Sequence, residues 1–177
     1  QVERNAIFGI LGANGAGKTT LIKLMAGLAR PTSGEILVQG ESASSLQAHK
    51  KLGFMPERPY LPVQLTGDQI LHFMGTLSGM TKEQVNQKLD TVLDQVGMKS
   101  ARSLELGRYS KGMLQRIGIA QAILHDPDLV LLDEPMSGLD PVGRRDIRNL
   151  IQDLANAGKT IIFLSLIHIS EPTRRSY

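Results

Sequence analysis

The octet Gly12-Ala13-Asn14-Gly15-Ala16-Gly17-Lys18-Thr19 constrains this chain more than any other feature. It has the spacing G-x-x-x-x-G-K-[ST] and lies between an apolar run at 6–11 and a segment of helical periodicity at 17–27. That context predicts a strand, a tight loop and a helix in succession. Glycines let such a loop curl until its backbone N–H groups converge, and the helix start adds its own free N–H groups and positive dipole end. The result is a cradle for phosphate. Gly12, Asn14, Gly15, Ala16, Gly17, Lys18, Thr19 and Thr20 are therefore the candidate nucleotide-binding residues. Lys18 is placed to reach the outer phosphates, and the Thr19 hydroxyl to ligate Mg²⁺.

A second apolar run at 129–132 ends in Asp133-Glu134-Pro135. In a chain with a phosphate loop, an acid at a strand end can hold the Mg²⁺ shell, which is the reading for Asp133. Glu134 is one residue on, points elsewhere, and is the candidate to polarise an attacking water. Without that loop, the two acids would simply begin a turn before proline. Further strands are expected at 35–39, 52–55 and 160–163. Helices are expected at 68–77 after Thr66, from Thr81 with Gln84 completing a capping box, from Ser110 to about 124, and at 142–157. The pattern is an α/β parallel-sheet core, 1–60 and 127–163, interrupted by an all-helical insertion at 61–126.

Composition narrows the class. No cysteine is present, which excludes disulfide scaffolds, iron–sulfur clusters and cysteine-based zinc sites. A net charge of +3 with 4% aromatics argues against a nucleic-acid partner. The longest apolar stretch, 161–169, is roughly half of what a membrane span needs.

Tyr109-Ser110-Lys111-Gly112-Met113-Leu114-Gln115-Arg116 resembles the signature motif of ATP-binding cassette (ABC) ATPases. Tyr109, Lys111 and Met113 stand where that family usually has leucine, the first glycine and glutamine. Ser110, Gly112, Gln115 and Arg116 are retained, and Ser110 precedes Asp133 at a spacing that resembles the family's. Taken without the phosphate loop, the octet would be an ordinary capped helix start. Ser137-Gly138-Leu139-Asp140-Pro141 resembles the family's D-loop, and is equally a turn that caps the next helix. Glu57 occupies the place of the usual Q-loop glutamine; its plain alternative is a solvated loop charge.

The resemblance implies a RecA-like P-loop NTPase core with an inserted helical subdomain, and ATP and Mg²⁺ as ligands. Lys18 and Glu134 are the implied catalytic residues, and Thr19, Glu57 and Asp133 the metal site. Two such domains would sandwich ATP head to tail, with Ser110 and Gly112 contacting the γ-phosphate of the other subunit. The implied partners are a second ATPase subunit and a transmembrane permease, at the cytoplasmic face of a bacterial membrane. The signature variant resembles exporter branches. Two alternatives remain open: a soluble member of the family acting on ribosomes or DNA, and a cassette that binds ATP without hydrolysing it.

The chain is also expected to be a fragment of weak or absent activity. The family's adenine-stacking aromatic is expected before residue 1, because Phe8 is assigned to a buried strand. The family's switch histidine is expected at 166, where this chain has Leu166; His168 comes two residues later. Residues 164–177 resemble a translated sequencing adapter and are expected to be a non-native tail.

Overall fold

The computed structural model describes residues 2–13 and 15–166. Asn14, His168 and the rest of 167–177 lie outside the described residues. The chain runs β1 (Ile7–Gly12), α1 (Lys18–Met25), β2 (Leu37–Val38), β3 (Glu41–Ser42), α2 (Leu46–Lys50) and β4 (Leu52–Met55). It continues through α3 (Gly67–Leu77), α4 (Lys82–Gln95), α5 (Lys111–Ile123), β5 (Leu129–Asp133), α6 (Pro141–Asn156) and β6 (Thr160–Leu166).

The long apolar runs pair into one parallel sheet, in the order β1-β6-β5-β4. Parallel strands need crossover connections, which cover the faces of the sheet with helices. Side-chain alternation then sends Met55, Val130, Leu132 and Ile161 into the core shared with α3 to α6. Leu52, Leu131, Ile162 and Leu164 point the other way, against Ile22 of α1, Ala26 at its end and Ala48 of α2. Burial on both faces is why these strands read as unbroken apolar runs.

β1 departs from that expectation. The run at 6–11 predicts a buried strand, yet Phe8 is 48% and Leu11 61% exposed. The reason is position: β1 is at the end of the described sheet, paired with β6 along one edge. The strand expected at 35–39 is also shorter. It is Leu37–Val38 paired antiparallel with Glu41–Ser42. The two are joined through Gln39 (φ 51°) and Gly40 (φ 83°), the double positive φ of a tight hairpin turn. β6 extends past 163 to Leu166.

The helices between β4 and β5 start where their caps say they should. Thr66 and Thr81 each accept from the backbone N–H three residues on, while Gln69 and Gln84 accept from the cap's own N–H. Ile70, Leu71, Val85, Leu89 and Leu93 then form one apolar seam, continuous with Met55 and Val130 of the sheet. Tyr109 joins this core, its hydroxyl donating to the Ala101 carbonyl at 2.8 Å.

One contact sets how these helices meet the sheet. A Cβ added at Gly53 of β4 would overlap the carbonyl oxygen of Ala122 in α5. One added at Gly118 would lie 3.2 Å from the Met55 sulfur. Helix and strand therefore touch nearly backbone to backbone. Gly53→Ala is expected to cost about 1–3 kcal/mol through overpacking. Urea denaturation reads this as a lower midpoint at unchanged slope; an unchanged midpoint would show that the close approach is dispensable.

Candidate functional site

The first turn of α1 is chemically unlike the starts of the other helices. Each of α2 to α6 is capped by a side chain: Ser45, Thr66, Thr81, Ser110 and Asp140. α1 begins at Gly17, in the left-handed conformation (φ 81°), with no side-chain cap and no acid in its first turn. Gly15 is left-handed as well (φ 79°). The motif's glycines are needed for these two bends, which L-residues with a Cβ adopt only under strain. The N–H groups that open α1 thus have no capping side chain, the condition under which a helix start binds an anion. Lys18 folds back over the loop, its ammonium donating to the carbonyls of Gly12 and Ala13, each at 2.8 Å.

Facing this turn is a cleft of about 250 Å³, lined by Gly15, Gly17, Lys18, Thr19, Thr20, Glu57 and Glu134. Three distant stretches of sequence meet there. Its size suits a polyphosphate tail better than a whole nucleotide, since pockets for complete ligands run from about 300 Å³ upward. A roomier hollow of about 830 Å³ lies elsewhere, between the first residues, α1 and β2. Its walls include Leu21, Met25, Leu37 and Ile162, and it holds none of the motif residues except by proximity to α1. The charged cleft is the better candidate because its groups converge on one chemistry.

Asp133 ends β5 and is 4% exposed. Its Oδ1 is buried with no hydrogen-bond partner among the described residues. Burial pushes its carboxyl above the ordinary value of 3.8, and the nearby charge of Glu57 adds to this, while Lys23 and Lys18 pull it down. A buried carboxylate oxygen without a partner, with a second carboxylate close by, is a donor set that a hard divalent cation satisfies. Among the described residues no three His, Cys, Asp or Glu side chains form a metal cluster by themselves. A cation here would therefore need oxygens from Thr19 and from a ligand.

Glu134 is the next residue, and its backbone is left-handed (φ 50°). This is uncommon for a residue with a side chain, and such strain collects at functional sites. The bend breaks the alternation of β5. It turns the Glu134 side chain to the lining of the cleft, although the residue is only 8% exposed. Spacing indicates that Asp133 and Glu134 point differently; the left-handed turn that accomplishes it has no sequence signal, because glutamate is not a residue expected there.

Ser110 and Gly112 are not among the residues lining this cleft. Ser110 is exposed and caps α5, its Oγ accepting from the Met113 N–H at 3.2 Å. Lys111 lies across Gly138, where an added Cβ would collide with the lysine ammonium. The signature turn and the turn before α6 are therefore neighbours. Arg116 adds a second tie, donating to the Val96 carbonyl at 3.0 Å and to Asp146 of α6 at 3.1 Å. Sequence reasoning gave Arg116 no task. Its signal was its place among the retained residues of the signature octet.

The comparisons with known proteins come down on one family. The ABC transporter family profile matches residues 1–137. An uncharacterised ABC transporter ATP-binding protein of Nostoc is 45% identical over 168 residues, 94% of this chain and 50% of that protein. The bacitracin transport ATP-binding protein of Bacillus licheniformis is 40% identical over 172 residues, 96% of this chain and 55% of that protein. The chain spans about half the length of the curated relatives it matches. Among solved structures, an ATP-binding subunit of an ABC transporter superposes with a TM-score of 0.78 at 28% identity, over 93% of this chain and 70% of that one. An ATP-binding cassette in its ADP conformation reaches 0.83 at 20% identity, over 93% and 72%, which bears on the fold. With most of its length matched by that profile, and with the phosphate loop, acidic strand end and signature turn in order, the chain belongs to the ABC transporter ATP-binding family.

Proposed function

We propose that this chain is the nucleotide-binding part of an ABC transporter subunit that hydrolyses ATP to drive export through a membrane partner. The observation that carries the reading is the uncapped start of α1 facing Glu57 and Glu134 across one small cleft. The N–H groups of residues 15–20 would hold the β- and γ-phosphates. Lys18 would exchange its two carbonyl contacts for phosphate oxygens, a change from neutral to charged acceptors that strengthens its hydrogen bonds. Mg²⁺ would be held by Thr19, Asp133 and Glu57 together with phosphate oxygens, and when bound it neutralises phosphate charge. Glu134 would orient the attacking water and take its proton.

Ser110 and Gly112 sit outside their own chain's cleft, which suits a role at the nucleotide of a second subunit. The permease contact is assigned to the loop 58–63 and the neighbouring face of α3. Tyr60 is 93% exposed there, and Val63, Phe73 and Leu77 are exposed as well. No helix among the described residues is long and apolar enough to cross a membrane.

Titration calorimetry with Mg²⁺ and a non-hydrolysable ATP analogue tests the reading directly. The wild-type chain is expected to bind, and Lys18→Ala to bind at least about tenfold more weakly, a loss of about 1.4 kcal/mol. No binding by the wild type would sink the proposal. In the full-length protein, Glu134→Gln is expected to keep analogue binding while turnover falls by about 10² or more. Turnover at the wild-type rate would remove Glu134 from the chemistry.

Asp133 generates a pH prediction. Its folded carboxyl holds a proton above 3.8, so over that interval the native state binds more protons than the unfolded chain. Stability from this group therefore falls as pH rises from about 3.8 through the folded value. Asp133→Asn is expected to flatten that fall and to raise the melting temperature of the ligand-free chain at neutral pH. Thermal unfolding followed from about pH 4 upward to neutrality reads the difference. A variant with the wild-type pH profile would contradict it.

A further inference from the structure

We infer that Gln115 is a positioning residue that ties the signature helix to the loop carrying Glu57, an inference that rests on the nucleotide-binding reading above. The polar side chain is 3% exposed, and its Oε1 is buried with no hydrogen-bond partner among the described residues. A buried amide oxygen left unpaired is costly, and most native polar groups avoid it. Gln115 is also out of character with its own stripe. Residues 115, 118 and 122 follow the i, i+3, i+7 spacing of one helix face, and the other two members are Gly118 and Ala122. Those two are the residues that touch β4.

The contacts give a ruler. Ala122 meets Gly53, and Gly118 meets Met55. Four helix residues at about 1.5 Å each match two strand residues at about 3.3 Å each, so helix and strand run in opposite directions at equal pace. Three further residues toward the start of α5 correspond to between one and two residues beyond Met55. Gln115 thus lies at the level of Pro56 and Glu57, just where β4 gives way to the loop. Ser110 stands at the same end of this unit, five residues before it in sequence. One buried amide is therefore set between the segment that lines the phosphate cleft and the segment that opens the signature turn. Its unpaired oxygen is an acceptor for a backbone N–H of the 57–58 segment when that loop shifts toward Mg²⁺-nucleotide. In making that bond it would pull the first turn of α5 along.

Hydrogen exchange on the 177-residue chain tests the coupling, with and without Mg²⁺ and the ATP analogue. In the wild type, exchange is expected to change together in the loop 57–63 and in residues 111–114. Gln115→Met keeps the volume and removes the hydrogen bond. It is expected to melt at or above the wild-type temperature, to keep the loop response, and to lose the helix response by about threefold or more. A merely structural glutamine would instead lower the melting temperature and leave the two responses joined. Both segments still responding together in Gln115→Met would overturn the inference. The chain's lack of cysteine supplies a second arm that does not depend on nucleotide binding. Gln115→Cys combined with Arg58→Cys is expected to form a disulfide under mild oxidation, and its absence in every condition would also overturn the inference. A chain that cross-links but binds no analogue would refute the nucleotide reading while leaving the contact in place.

Discussion

The backbone of β4 passes Ala122 of α5 at a distance that no side chain at position 53 would permit. Much of the architecture hangs on that approach. It fixes α5 to the sheet, and α5 carries α3 and α4 with it through the seam of Ile70, Val85, Leu93 and Ile117. Because helix and strand run in opposite directions, the start of α5 and the end of β4 fall at the same end. Ser110 and Glu57, more than fifty residues apart in sequence, therefore flank the same end of this helix–strand unit.

The cleft adds an electrostatic constraint to the mechanical one. It sets the carboxylates Glu57 and Glu134, with Asp133 behind them, opposite Lys18 and an uncapped helix start. Burial raises the Asp133 carboxyl, the Glu57 charge raises it further, and Lys23 and Lys18 pull it back. Carboxylate oxygens of this kind are donors that a hard divalent cation accepts.

How much of this was legible in the sequence depended on how local the cause was. The phosphate loop, the capping boxes at Thr66 and Thr81, and the cap at Ser110 act over three or four residues, and each is where its residues indicate. The sheet strands expected at 52–55, 129–132 and 160–163 were legible because burial on both faces leaves an unbroken apolar run, although the last continues to Leu166. What failed was nonlocal. Phe8 reads as core from its neighbours, and only strand order shows that β1 stands at the end of the described sheet. The Gln39–Gly40 turn and the left-handed Glu134 depend on backbone angles that their side chains do not announce. Only family resemblance singled out Glu57, whereas the level of Gln115 against β4 follows from the approaches at Gly53 and Gly118.

Lys111 shows how a departure from the family's usual pattern can be absorbed. A lysine in place of glycine adds a long cation to the first turn of α5, close to the helix's positive end, where the dipole disfavours it. The structure answers by laying the side chain over Gly138, a left-handed glycine (φ 66°) with no side chain to resist it. Leu139 and Asp140, which follow, are held by their own bonds. Arg144 donates to the Leu139 carbonyl at 3.0 Å, and Asp140 accepts from Gly143 at 2.9 Å. The turn that receives Lys111 is thus held by bonds of its own, and the lysine stem spans the two segments. An added charge that would otherwise loosen the helix start instead packs it against the turn before α6.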